Sequence, residues 1–145
     1  MILLSLFLAC DSLLWPPLEE GSYELELVAL VSDTCGYSDD DVGVGQQMDV
    51  ELRWDNEVII MESEAGEGQY LWTGEGFEAI GYSEVAVDDT CVLVVDATYT
   101  GQTFDRQSFG LIEAMSLSVT GDCSNWDTSM MPCETEVAWE GHLTE

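Results

Sequence analysis

The chain has 145 residues, 46% of them hydrophobic, which is enough for one domain with a sizeable core. Its 30 acidic residues stand against only 2 basic ones, Arg53 and Arg106, and the formal net charge is −28. Such a chain repels a phosphate backbone, so we expect no binding to nucleic acid.

The first nine residues, MILLSLFLA, form a short apolar run that ends in a small residue before Cys10. The four residues Phe7-Leu8-Ala9-Cys10 resemble a bacterial lipobox, where a lipoprotein signal peptide ends at a lipid-modified cysteine. The resemblance implies that residues 1–9 are a signal peptide and that Cys10 is acylated, for example with palmitate. It also implies a membrane-anchored protein of the cell envelope, outside the cytoplasm. The alternative interpretation of the run is a buried first strand.

Residues 10–21 are predicted to be a lipidated tether, because Pro16-Pro17 favours a stiff, extended segment. The predicted domain then covers residues 22–145. It begins with a strand over residues 22–32, where Tyr23, Leu25 and Leu27 alternate with acidic residues. Ala29 and Val31 continue the apolar face of that strand.

A polar loop over residues 33–47 contains Cys35 and the acidic run Ser38-Asp39-Asp40-Asp41. Carboxylate oxygens are the ligands that calcium prefers, but the run lacks the spacing of a calcium-binding loop. We therefore expect a solvated loop that binds divalent cations only weakly. No metal site is predicted elsewhere, because the chain has no Cys-x-x-Cys motif and His142 is its only histidine.

Three hairpins are predicted after this loop. The first joins residues 48–54 to residues 58–61, and Gly66 to Gly68 is predicted to form the turn of the second. The third joins residues 70–72 to residues 77–82 around Gly74 and Gly76. The segment from Cys91 to Cys123 follows, with two alternating arms around a polar turn at residues 100–108. A closing strand covers residues 134–143.

These elements predict an all-β fold, an antiparallel meander of eight or nine strands that forms a closed or nearly closed barrel. Closure is favoured because it removes exposed strand edges, and a β-sandwich is the alternative. The strand order loosely resembles that of lipocalin-like small β-barrels. This resemblance implies an interior that holds a small apolar ligand.

The five cysteines are odd in number, and assigning Cys10 to the lipid leaves an even set of four. These four, Cys35, Cys91, Cys123 and Cys133, are predicted to form disulfide bonds in an oxidising compartment. Three pairings are possible. We favour Cys123–Cys133, which closes a short loop, together with Cys35–Cys91.

Five residues of the predicted inner faces are candidates for lining a ligand cavity: Trp54, Trp72, Tyr99, Glu113 and Trp139. A packed core is the favoured alternative, because a small barrel can fill itself with side chains. Glu113 has the same parity as the apolar residues around it, so it either points inward or marks a β-bulge. The bulge is the favoured interpretation.

No catalytic motif is evident, and the lone His142 is expected on the surface. The leading hypothesis is a non-enzymatic cell-envelope lipoprotein with a structural role or a role in interaction with another envelope protein. The alternative is a module that binds a small apolar ligand inside the barrel. No cofactor is implied.

The excess of acidic residues predicts that salt stabilises the fold, because mobile cations screen the repulsion between carboxylates. We expect the urea midpoint of unfolding to rise as sodium chloride increases from 0.05 to 1 M. Circular dichroism at each salt concentration measures this midpoint. A midpoint that stays constant or falls would contradict the expectation.

Overall fold

The computed structural model describes residues 18–144, which form a closed eight-stranded barrel with the strands in chain order. The strands are β1 (Gly21–Asp33), β2 (Gln47–Asp55), β3 (Val58–Ser63), β4 (Gly66–Trp72), β5 (Gly76–Ala86), β6 (Cys91–Asp105), β7 (Ser108–Gly121) and β8 (Cys133–Leu143). All neighbours pair antiparallel, and β8 returns to pair with β1. The predicted meander barrel is confirmed, with eight strands, and the sandwich alternative is not adopted.

Two of the predicted turns are shorter or displaced. The strands β6 and β7 remain paired as far as Asp105 and Ser108, so the turn between them contains only residues 106 and 107. Gly66 and Gly68 belong to β4 rather than to a turn, which lies at residues 64 and 65. Cross-strand pairing therefore extends regular structure into segments whose polar and glycine content suggested loops.

The alternation predicted for β1 holds through Leu27 and then changes. The pairing of β1 with β8 shifts register between Leu27 and Ala29, and again between Leu30 and Ser32. These irregularities place Leu30 opposite the buried Val137, while Val31 is 50% exposed. The prediction that Ala29 and Val31 face the interior is thus wrong. A bulge after Leu27 reverses which side chains point inward.

The acidic run in the first loop forms one helical turn, α1 (Asp39–Val42). Ser38 is its N-cap: the Ser38 hydroxyl accepts from the Asp41 N–H, and the Asp41 carboxylate accepts from the Ser38 N–H at 2.8 Å. This capping box gives Asp41 a local structural role. Within residues 18–144, no cluster of three or more His, Cys, Asp or Glu side chains is placed to hold a metal ion. No helix in that range is long and apolar enough to cross a membrane.

All four predicted cysteines are disulfide-bonded, but the favoured pairing is wrong. The bonds are Cys35–Cys133 and Cys91–Cys123. Strand pairing explains this arrangement, since Cys91 lies opposite Gly121 in the β6–β7 ladder and Cys123 follows two residues later. In the same way, pairing of Asp33 with Thr135 brings the end of β1 beside the start of β8.

The segment that precedes β1 closes one end of the barrel. Leu18 is 2% exposed, and its carbonyl accepts from the Trp54 indole N–H at 2.8 Å. The Glu19 N–H donates to the Arg106 carbonyl at 2.8 Å, and the Glu20 carboxylate accepts from the Trp54 backbone. The structure therefore places residues 18–20, predicted as part of the tether, in the barrel. Cys10 and the predicted signal peptide lie outside the described residues.

The barrel wall has a gap between β4 and β5. These strands pair only at Leu71 with Glu78 and at Trp72 with Phe77, whereas β5 pairs with β6 along its whole length. The Thr73 N–H donates to the Gly76 carbonyl across the turn, so Gly76 directs its polar groups towards β4. In a strand these directions alternate, which leaves the N–H groups of Ile80 and Tyr82 at the unpaired edge.

Amide hydrogen exchange tests this gap directly. The N–H groups of Ile80 and Tyr82 face the gap and should exchange rapidly. Those of Ala79 and Gly81 face β6 and should be protected, because each contributes to the ladder. Residue-resolved exchange by NMR measures the alternation, and uniform protection along the strand would contradict it.

Candidate functional site

Aromatic rings fill the half of the barrel next to Leu18. The Phe77 and Phe109 rings lie 5.4 Å apart in an edge-to-face arrangement, and Tyr23 lies 5.6 Å from Phe109. Glycines opposite these rings make the packing possible: a Cβ on Gly101 would lie 2.2 Å from the Phe77 ring, and one on Gly141 would lie 2.4 Å from Phe109. This half is therefore a packed core, as the favoured interpretation of the inner face predicted.

The opposite half of the barrel contains a cavity of about 360 Å³ that opens to solvent. Residues from seven strands, all except β5, and from the β3–β4 turn line it: Leu25, Met48, Ser63, Ala65, Gly66, Glu67, Tyr70, Tyr99, Leu111, Glu113 and Trp139. Known small-molecule sites are lined in this way, mostly by apolar and aromatic groups with a few convergent polar ones. Only part of the interior is filled by its own side chains.

Glu113 is the polar centre of the cavity. One carboxylate oxygen accepts from the Tyr99 hydroxyl at 3.2 Å, and the other accepts from the Trp139 indole N–H at 3.1 Å. The register of β7 is continuous around it, with Tyr99 opposite on β6 and Val137 opposite on β8. The favoured bulge at Glu113 is therefore wrong, and the inward alternative is correct.

The two tyrosines beside Glu113 are held in their neutral form. Burial, followed by the charge of Glu113, raises the pKa of Tyr99 to about 12. Burial and then Glu113 also raise the pKa of Tyr70. Tyr99 consequently remains a hydrogen-bond donor near neutral pH, and its hydroxyl directs a proton at the carboxylate.

The basic residues of the chain all lie away from Glu113. Arg53 pairs with Glu67 at 3.0 Å, and Arg106 lies 3.5 Å from Glu19. His142 is exposed beside Glu140, as expected for a surface residue. The sequence has no lysine. The cavity carboxylate is therefore held by neutral donors alone among residues 18–144.

The predicted cavity residues fall into two groups. Tyr99, Glu113 and Trp139 meet in the cavity. Trp54 and Trp72 instead form an edge-to-face pair, 5.5 Å between ring centroids, packed against the core near Leu18. Strand alternation gave the correct inner face for Trp54, Trp72, Tyr99 and Trp139. The position of each along the barrel axis depends on strand register, which alternation does not determine.

Tyr70 is a cavity residue that the sequence analysis missed. Tyr70 lies two residues before Trp72 on β4, so both side chains point to the same face of the sheet. That spacing is the sequence signal that could have identified Tyr70 as an inward residue. Its ring contacts Tyr99 edge-to-face at 5.9 Å. Tyr70 and Tyr99 also border a wider cleft of about 690 Å³ at the β4–β5 gap, with Leu71 and Ile80 on the outer side. The two tyrosines thus separate the cavity from a lateral opening in the wall.

No family model, curated protein or solved structure matches this chain. The fold and the cavity define it structurally as an acidic, disulfide-bonded eight-stranded barrel with a partly open interior.

Proposed function

We propose that this barrel binds a small ligand with an apolar body in the open half of its interior. The observation that carries the proposal is the aromatic cavity around Glu113, which has about 360 Å³ of space. At roughly 30 Å³ for each water-sized group, such a cavity takes about ten to twelve non-hydrogen atoms. The packed half beneath it supplies a rigid floor, so the site needs little reorganisation when the ligand enters.

Binding is a better account of this site than a packing defect in the core. Glu113 has fixed hydrogen-bond partners, and the rings of Tyr70, Tyr99 and Trp139 converge on the same space. An apolar residue at position 113 would fill the interior without bringing a carboxylate into it. Glu113 is partly buried, and a carboxylate among aromatic rings loses part of its hydration, so its presence there favours a function in recognition.

We place this function outside the cytosol, with Cys10 as a lipid anchor in the cell envelope. The two disulfide bonds support an oxidising compartment. The lipobox-like residues 7–10 support the anchor. Labelled palmitate should enter the wild-type protein and not a Cys10→Ser variant expressed in bacteria. Equal labelling of both proteins, or of neither, would refute the anchor.

The second candidate is the interaction role, for which the free edge of β5 is the supporting observation. An extended segment of another envelope protein can add a strand at such an edge. The exposed Glu78 and Glu84 favour a basic segment. A synthetic peptide of alternating lysine and valine should then slow exchange of the Ile80 and Tyr82 amides, and unchanged exchange would rule this role out.

Ligand binding is tested with three probes that share a phenyl ring: phenethylamine, 2-phenylethanol and phenylacetate. If the cavity binds small ligands, at least one probe should shift the Trp139 indole N–H signal in two-dimensional NMR spectra and saturate. Shifts confined to outward-facing residues, or none with any probe, would refute the proposal.

A matched pair of variants locates the binding. Met48 borders the cavity, whereas its neighbour Asp49 is exposed on the outer face. Met48→Trp should narrow the cavity and weaken binding of the responsive probe about tenfold or more, since a bulky ring then competes for the same space. Asp49→Trp adds the same ring outside and should leave the affinity unchanged.

A further inference from the structure

The carboxylate of Glu113 has unused capacity to accept hydrogen bonds. A carboxylate has about four acceptor positions, and Tyr99 and Trp139 occupy one on each oxygen. Arg53, Arg106 and His142 are engaged or exposed elsewhere, so none of them neutralises it. The cavity thus contains a negative charge whose counter-charge is not supplied by residues 18–144.

The surrounding rings favour the same kind of ligand. The faces of tyrosine and tryptophan rings attract cations, and three such side chains, Tyr70, Tyr99 and Trp139, line the space around Glu113. The net charge of −28 adds a field that concentrates cations at the protein surface and repels anions. A carboxylate ligand would be repelled both by the net negative charge of the protein and by Glu113 in the cavity.

We infer that the ligand is an organic ammonium ion, with its cationic group at Glu113 among Tyr70, Tyr99 and Trp139 and its apolar body against Leu25, Met48 and Leu111. This inference rests on the proposed binding function and specifies the class of ligand. A bare metal ion fits less well, because calcium takes about six to eight oxygens, whereas the cavity lining has two carboxylates, of which Glu67 is paired with Arg53.

The three phenyl probes separate the inference from the function on which it rests. Isothermal titration calorimetry in 0.15 M sodium chloride should show phenethylamine binding about tenfold or more tightly than 2-phenylethanol, with phenylacetate weakest. If 2-phenylethanol or phenylacetate binds in the cavity as tightly as the amine, the cationic ligand is refuted while the binding function stands. If none of the three binds, the binding function itself fails.

A charge-matched pair of variants assigns the preference to Glu113. Glu113→Gln keeps the shape of the side chain and removes its charge, so affinity for phenethylamine should fall about tenfold while affinity for 2-phenylethanol changes less than about threefold. Glu62→Gln removes an equal charge from the outer face of β3 and should change neither affinity. Nuclear magnetic resonance spectra of both variants verify the fold.

Equal loss of amine binding in both variants would mean that overall charge attracts the amine, and the assignment to Glu113 would be overturned. Unchanged amine binding in Glu113→Gln would overturn it as well.

Discussion

Closure of the sheet by the pairing of β8 with β1 is the constraint on which the rest of this structure depends. Without that seam the eight strands would form an open sheet with one face exposed, and there would be no interior to fill or leave open. The Cys35–Cys133 bond lies at the seam and spans 98 residues of sequence. By chain-entropy estimates, a loop of about 100 residues gives a disulfide about 4.7 kcal/mol of stabilisation. That stabilisation opposes the repulsion among the carboxylates.

The closed barrel is filled unevenly, and the unevenness produces the candidate site. Leu18, Phe77 and Phe109 pack one half tightly, with glycines opposite the rings. The other half has a carboxylate on its inner face, and the surrounding rings do not fill the space. In a chain with 30 acidic and 2 basic residues, few cationic side chains are available to pair with that carboxylate. Neutral donors from Tyr99 and Trp139 hold it instead.

Much of the fold was predictable because an antiparallel sheet with one solvated face imposes alternation on the sequence. That alternation identified the strands, the inner position of Trp139 and the outer position of Glu140. It failed where parity changes without a sequence signal, as at the bulge after Leu27. Alternation also gave no basis for choosing between an inward Glu113 and a bulge. That choice depends on hydrogen bonds that Tyr99 and Trp139, on other strands, donate to the Glu113 carboxylate.

The disulfide pairing shows a different limit of sequence reasoning. Short loop length favoured Cys123–Cys133, but in a barrel the distance between two residues is set by strand register rather than by sequence separation. The β6–β7 ladder brings Cys91 to Cys123, and the seam brings Cys35 to Cys133. The partial closure between β4 and β5 was also not predictable. β4 pairs with β3 along most of its length but with β5 only at Leu71 and Trp72, and alternation does not indicate where two strands separate.

Mapping the disulfide bonds of the unreduced protein tests the closed barrel most directly. A protease that cleaves after acidic residues separates Cys123 from Cys133 at Asp127, and mass spectrometry identifies the linked peptides. The closed barrel predicts peptides that join Cys35 to Cys133 and Cys91 to Cys123. Peptides that join Cys123 to Cys133, or Cys35 to Cys91, would contradict the strand register and the seam that encloses the cavity.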